Sequence, residues 1–157
     1  MSVEPIQSRA SDPQRLRERF ETMATISDIP GDGCERLAYG TAEHKAHREF
    51  TRQAKKAGLA VIADAIGNTF ARLEAPGDLS SVPAVLVGSH LDTVAGGGCY
   101  DGAAGVLCGL EAVAAIAESV RDGSVQLVRP IEVVAWANEE GARFAPAMMG
   151  SGVYTGI

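Results

Sequence analysis

The chain has 157 residues, 46% of them hydrophobic and 22% charged, with a formal net charge of −6. That length fits one domain with a real core, and an acidic balance with no basic cluster argues against a nucleic-acid partner. Three cysteines, Cys34, Cys99 and Cys108, are odd in number and lack C-x-x-C spacing, which argues against a disulfide framework or zinc ribbon and for a reducing cytoplasm. The polar stretch Met1 to Asp12 has no apolar h-region of a signal peptide. No uninterrupted apolar run approaches the ~18 residues of a membrane span.

A flexible tail is expected over residues 1–12. Ser11 or Asp12 caps a first helix with Pro13 at its opening position. Leu16, Phe20, Met23 and Ile26 recur there at helical spacing, leaving Arg15, Arg17, Glu18 and Arg19 mostly outward. Pro30-Gly31-Asp32-Gly33 breaks the pattern into a loop. Thr41 caps a second helix through about Ala57, with Ala46, Phe50 and Ala54 on one face and Gly58 at its end. Leu59 to Ala63 and Thr69 to Leu73 read as strands around a turn at Ile66-Gly67-Asn68. Val82 to Val87 is a nearly unbroken apolar run, the pattern of a buried strand. Ala103 to Glu118 follows as a helix with Val106, Leu110, Val113 and Ala117 inward, and Ile131 to Ala137 as another strand. The segment from Arg143 to Ile157, rich in Met, Gly and Ala, carries no cap or closing element. Alternating helices and apolar strands give an α/β layered fold with a mostly parallel sheet flanked by helices.

Two strand ends carry the chemistry. His90, Asp92 and Asp101 sit in the glycine-rich loop after the Val82 to Val87 run, where open α/β sheets place their ligands. Asn138-Glu139-Glu140-Gly141 follows the second strand. His90-x-Asp92 is the pattern of a metal-bound imidazole whose other ring N–H is accepted by a carboxylate. Asp101 can return to the same metal or bridge two, Glu140 can supply an oxygen ligand, and Glu139 can take a proton from water. Adjacent strand residues face opposite ways, so both glutamates share one site only if the chain bends, which Gly141 permits. Gly96-Gly97-Gly98 lacks the following Lys of a P-loop and reads as a flexible approach to Asp101. Cys108, Trp136 and Met148-Met149 read as packing, Cys34 as a loop thiol, and His44 and His47 as helix-surface residues.

Gly88-Ser89-His90-Leu91-Asp92-Thr93-Val94, Tyr100-Asp101-Gly102-Ala103-Ala104-Gly105-Val106 and Asn138-Glu139-Glu140-Gly141-Ala142-Arg143-Phe144 resemble the signatures of the aminoacylase-like dinuclear zinc amidohydrolases. Phe144 to Val153 resembles the N-carbamoyl-L-amino-acid hydrolase (L-carbamoylase) branch more than its allantoate amidohydrolase relatives. Asp64-Ala65-Ile66-Gly67-Asn68 and the helix before it fit that branch too. The resemblance covers nearly the whole chain after residue 12.

The resemblance implies a zinc-exopeptidase-like fold, of which residues 13–157 form the N-terminal part of the catalytic domain, with its remainder and a lid and dimerisation domain absent. It implies two divalent metal ions, zinc first, with manganese, cobalt or nickel compatible with the donors. His90 would bind one ion, Asp101 bridge the pair and Glu140 bind the second, with Asp92 orienting His90 and Glu139 as general base. A cis peptide is common in the family after the bridging aspartate, here Asp101-Gly102. The implied reaction is hydrolysis of a linear amide C–N bond in an N-carbamoyl-L-amino acid. Allantoate amidohydrolase, a ureidopropionase or peptidase, or an inactive truncated product are the alternatives. The partners implied are a small ureido substrate and, for the full-length form, a second copy, in the cytoplasm, with no nucleic acid or membrane. Each metal lacks one further histidine, expected downstream of residue 157, for which His44 and His47 do not substitute. Cys99 stands where the family more often has a polar or basic residue. The chain alone is expected to be inactive and poorly stable, its sheet edges and apolar ends inviting association.

Overall fold

The computed structural model describes residues 10–31 and 33–157. The tail expected over residues 1–12 lies outside them except for Ala10 to Asp12, as does Asp32 of the first loop. Asp12 accepts the N–H groups of Gln14 and Arg15, and α1 runs Pro13–Ala24, the helix start that an Asp-Pro pair encodes. α2 spans Thr41–Lys56, but Gly40 holds the cap position and Thr41 is the first helical residue. β1 (Ala60–Ala63), β2 (Thr69–Leu73), β3 (Val85–His90), α3 (Ala103–Arg121) and β4 (Ile131–Trp136) follow. A last helix, α4 (Met149–Thr155), lies where none was expected. Gly150 and Gly152 are poor helix formers, and the turn is anchored from outside, with Gly150 N–H donating to Ala137 O.

The α/β layering is as expected, but the sheet is mixed rather than mostly parallel. Its order is β1-β2-β4-β3, and of its three pairings only β3–β4 is parallel. The reason is loop length: the tight turn at residues 64–68 forces β1 and β2 antiparallel, whereas the crossover through α3 returns β4 alongside β3 in the same direction. In that pair His90 lies opposite Trp136, so both carboxyl ends emerge at one edge of the sheet. β3 is not the buried strand that its apolar run implied. Among the described residues only β4 pairs with it, and Val85, Leu86 and Val87 are 49%, 36% and 40% exposed.

The three long helices pack on one face. The expected stripe of Val106, Leu110, Val113 and Ala117 is buried, together with Met23 of α1, Phe50 of α2 and Ala71, Val133 and Ala135 of the sheet. Each large apolar side chain so buried contributes about 1.5–3 kcal/mol. On the opposite face Phe70, Trp136 and Tyr154 pack as a ring cluster with centroids 5.2 to 5.9 Å apart. Among the described residues α3 is the one helix long and apolar enough, by length and composition, to cross a membrane. Reading run length alone passes over it because Glu111 interrupts the apolar sequence. The helix is mostly buried as the central element of the core.

Glu111 is the charged residue of that core, with 1% of its side chain exposed. Arg15 grips it with Nε and Nη2 at 2.8 and 2.7 Å, Arg19 Nε adds a third bond at 3.1 Å, and the Asp12 N–H a fourth at 2.9 Å. Arg19 is therefore buried, not outward, and its Nη1 also reaches Gln53 Oε1 at 2.9 Å. A carboxylate on the buried side of a core helix must be paired, and α1 supplies both cations.

Replacing Glu111 with Ala takes the carboxylate from the buried Arg19, while Arg15 keeps Glu118, and is expected to cost about 3–5 kcal/mol, measurable by urea denaturation. Burial works to raise the Glu111 pKa, but Arg15, the Asp12 N–H and Arg19 outweigh it and hold the carboxyl below its ordinary range. Its contribution is therefore complete above the unfolded value of about 4.3 and is lost as pH falls through the lowered folded value. The parent protein should lose stability more steeply than the Glu111→Ala variant in that window; parallel pH curves would contradict this.

Candidate metal centre

His90 ends β3 and is 6% exposed. Its Nδ1 lies 2.9 Å from the backbone carbonyl of Asp92 and 3.6 Å from the Asp92 carboxylate. A carbonyl can only accept, so Nδ1 carries the proton and Nε2 faces outward, 3.4 Å from Glu139 Oε2 and 3.8 Å from Asp101 Oδ1. The tautomer is thus set by the main chain of Asp92 and not by its carboxylate, as His-x-Asp spacing had suggested. Gly102 closes the other side of the ring. It sits at φ +64°, and a Cβ there would lie 2.5 Å from the imidazole.

The Asp92 carboxylate has a different task. Its Oδ1 accepts Glu139 N–H at 3.2 Å and its Oδ2 accepts Glu140 N–H at 3.1 Å. The parallel register makes this possible, because residues just beyond His90 run beside those just beyond Trp136. The bend that lets both glutamates turn to one side begins at Asn138, at φ +50°, and continues at Gly141, at φ +64°. Asn138 is buried, and its Nδ2 donates to Phe144 O at 2.6 Å and Pro146 O at 3.2 Å. Met148 N–H returns to Glu139 O at 2.7 Å. The loop after β4 is therefore folded back on itself, and sequence reasoning that placed the bend at Gly141 missed Asn138.

His90, Asp101 and Glu140 each offer one ligand atom, all within 4.8 Å of one another, the one such group among the described residues. Asp101, two-thirds exposed, precedes α3, whose first N–H returns to its carbonyl. The Asp101–Gly102 bond is not cis; among the described residues the cis bond is Ala145–Pro146. Burial disfavours charge on His90, but the Asp92 carboxylate and carbonyl and the Glu139 carboxylate outweigh it, and its pKa is pushed up to about 9. Burial raises the Glu140 pKa, partly offset by His90, and Asp101, Glu139 and Asp92 push it further up. Asp92 is held below its ordinary value because His90 and the two backbone N–H groups overcome its burial. Four carboxylates thus converge on one imidazole, and a compact divalent cation is the counter-charge such a cluster accommodates.

Other expected residues lie elsewhere. His44 is exposed, and its Nδ1 contacts Gly40 O, whereas His47 is partly buried between Glu43 and Thr69 at 3.2 and 2.8 Å. Neither joins the cluster. Cys108 is exposed on α3 and not in the core, and Cys34 is a buried thiol against Arg36.

The chain is thus a mixed α/β sheet with a histidine–carboxylate cluster at its carboxyl edge. The family model described as Peptidase family M28 matches residues 68–155, and the chain belongs to that family. It is 39% identical over 153 residues to an N-carbamoyl-L-amino-acid amidohydrolase of Rhizobium meliloti, covering 98% of this chain and 35% of that protein. It is 36% identical to allantoate deiminase 1 of Glycine max, over 92% of this chain and 30% of that one. The crystal structure of a hydantoinase/carbamoylase family amidase from Burkholderia ambifaria superposes with a TM-score of 0.84 at 42% identity, covering 93% of this chain and 34% of the other. The chain spans about a third of the length of these relatives.

Introducing a methyl at Gly102 forces it into the His90 ring on a backbone that L side chains rarely adopt. Gly102→Ala is expected to destabilise the chain by about 1–3 kcal/mol in urea denaturation. An unchanged midpoint would mean that the ring is not held as described.

Proposed function

We propose that this sequence carries part of the metal centre of an amidohydrolase that cleaves the carbamoyl C–N bond of N-carbamoyl-L-amino acids. Support comes first from the assembly of His90, Asp101 and Glu140 within 4.8 Å, with Glu139 beside them. The names of the relatives at about 39% identity over nearly the whole chain support the substrate class. In this reading His90, Asp101 and Glu140 would hold two divalent ions, zinc by preference. Nε2 of His90 is the imidazole nitrogen turned toward Asp101 and Glu139, and the three donors are the nitrogen and carboxylate oxygens that zinc favours. A cation bound there supplies Lewis-acid chemistry, polarising an amide carbonyl and easing the ionisation of water.

The chain's own residues then have separable tasks. Asp92 fixes His90 through its carbonyl and the Glu139–Glu140 backbone through its carboxylate. Glu139, one-third exposed, takes a proton from the attacking water and returns it to the departing nitrogen. Residues 13–157 would form part of a catalytic domain in a larger, dimeric, cytoplasmic enzyme. A second reading, allantoate as substrate, draws on the similarity to the soybean enzyme.

In the protein bearing this sequence, Glu139→Gln should lower turnover of an N-carbamoyl-L-amino acid by about 10²–10⁴-fold while leaving metal content unchanged. Normal rates in that variant would sink the role of Glu139. A substrate panel in which allantoate turns over faster than every N-carbamoyl-L-amino acid would replace the first reading with the second.

A further inference from the structure

The Asp64-x-x-Gly67-Asn68 turn at the tip of the β1–β2 hairpin takes no part in the chemistry above, yet it is tied to the loop that carries Glu139 and Glu140. Asn68 is fully buried. The β2–β4 register pairs Thr69 with Ala135, so the ladder would next bring Gly67 opposite Ala137, but the hairpin turns away there with Gly67 at φ +98°. The side chain of Asn68 takes over. Its Oδ1 accepts Ala137 N–H at 2.9 Å, and its Nδ2 donates to Gly150 O at 3.0 Å and to Asp64 Oδ2 at 2.8 Å. Gly150 N–H in turn donates to Ala137 O at 2.9 Å. Asp64 Oδ1 accepts the Ile66 and Asn68 N–H groups at 3.2 and 2.9 Å, which holds the Asn68 main chain still. A Cβ at Gly150 would collide with Asn68 Oδ1, so the contact is built to glycine clearance.

Both backbone groups of Ala137 are thereby fixed immediately before Asn138 enters its left-handed bend. One residue later Asp92 takes the Glu139 and Glu140 N–H groups. The start of the loop is held from the β2 side and its middle from the β3 side. With either hold released, the bend is free to relax toward extended strand, where Glu139 and Glu140 would point to opposite faces.

We propose that Asn68, braced by Asp64, is a positioning residue for the Glu139–Glu140 pair, acting on the metal centre through Ala137 and Gly150. The inference rests on the metal reading of that centre. Its test is a Co2+ titration of the protein bearing this sequence, followed by visible absorption bands, with circular dichroism and the thermal midpoint recorded on the same samples. Asn68→Leu should weaken Co2+ binding by about ten-fold or more, as loss of an outer hydrogen-bond partner does at metal sites, and alter the band intensities. Asp64→Ala, at an exposed position, should give a smaller loss with the thermal midpoint retained. Should Asn68→Leu fail to fold, Asp64→Ala decides: weaker binding at an unchanged midpoint supports positioning, and unchanged binding overturns it. Glu140→Gln separates the two layers. If it weakens binding while a folded Asn68→Leu does not, the positioning role is overturned and the metal reading stands. If the parent protein shows no Co2+ bands at millimolar metal, or Glu140→Gln leaves them unchanged, the metal reading falls and the inference falls with it.

Discussion

The parallel register of β3 and β4, with His90 opposite Trp136, lays two strand ends side by side, and Asp92 turns that proximity into fixed geometry. Its carbonyl sets the His90 tautomer and its carboxylate holds the Glu139 and Glu140 backbone. One residue therefore couples histidine on one strand to carboxylates on the other. The rest of the edge is arranged around this coupling. Gly102 leaves room for the ring, Asn138 bends the second strand end back, and α3, capped by Gly102 just after Asp101, carries the core below.

The molecule handles clustered carboxylates in two opposite ways. Glu111 is matched at once by Arg15 and Arg19, and the network joins α1 to α3 with its charges satisfied. At the sheet edge Asp92, Asp101, Glu139 and Glu140 surround a single imidazole, and no arginine or lysine pairs with them among the described residues. The fold thus neutralises one carboxylate with two arginines and gathers four others around a single histidine. The raised His90 pKa expresses the same excess of negative charge.

Much of this was legible in the sequence, for identifiable reasons. Asp12-Pro13 and the 3.6-residue stripe of Val106, Leu110, Val113 and Ala117 are local signals, and they gave α1 and the core face of α3 correctly. The strand ends carrying His90 and Glu140 were legible because apolar runs stop there abruptly. The sheet's mixed character was not, since pairing direction depends on which strands become neighbours and not on their composition. The exposure of β3 escaped for the same reason. Arg19 was misplaced because its partner lies 92 residues away, although a glutamate at position 111 of an apolar helix was itself a signal that cations must come to it. Asn68 and Asn138 bear the bend through side-chain bonds to backbone groups, and a turn-forming residue type alone does not announce such a task.

The measurement that bears most directly on this account is anomalous diffraction at the zinc edge from crystals, grown with Zn2+, of the protein bearing this sequence. The expected result is an anomalous peak among His90 Nε2, Asp101 and Glu140, with the Asp92 bonds to Glu139 and Glu140 intact. A peak confined to other residues, or an empty cluster at saturating Zn2+, would contradict the assignment of this edge as a metal centre.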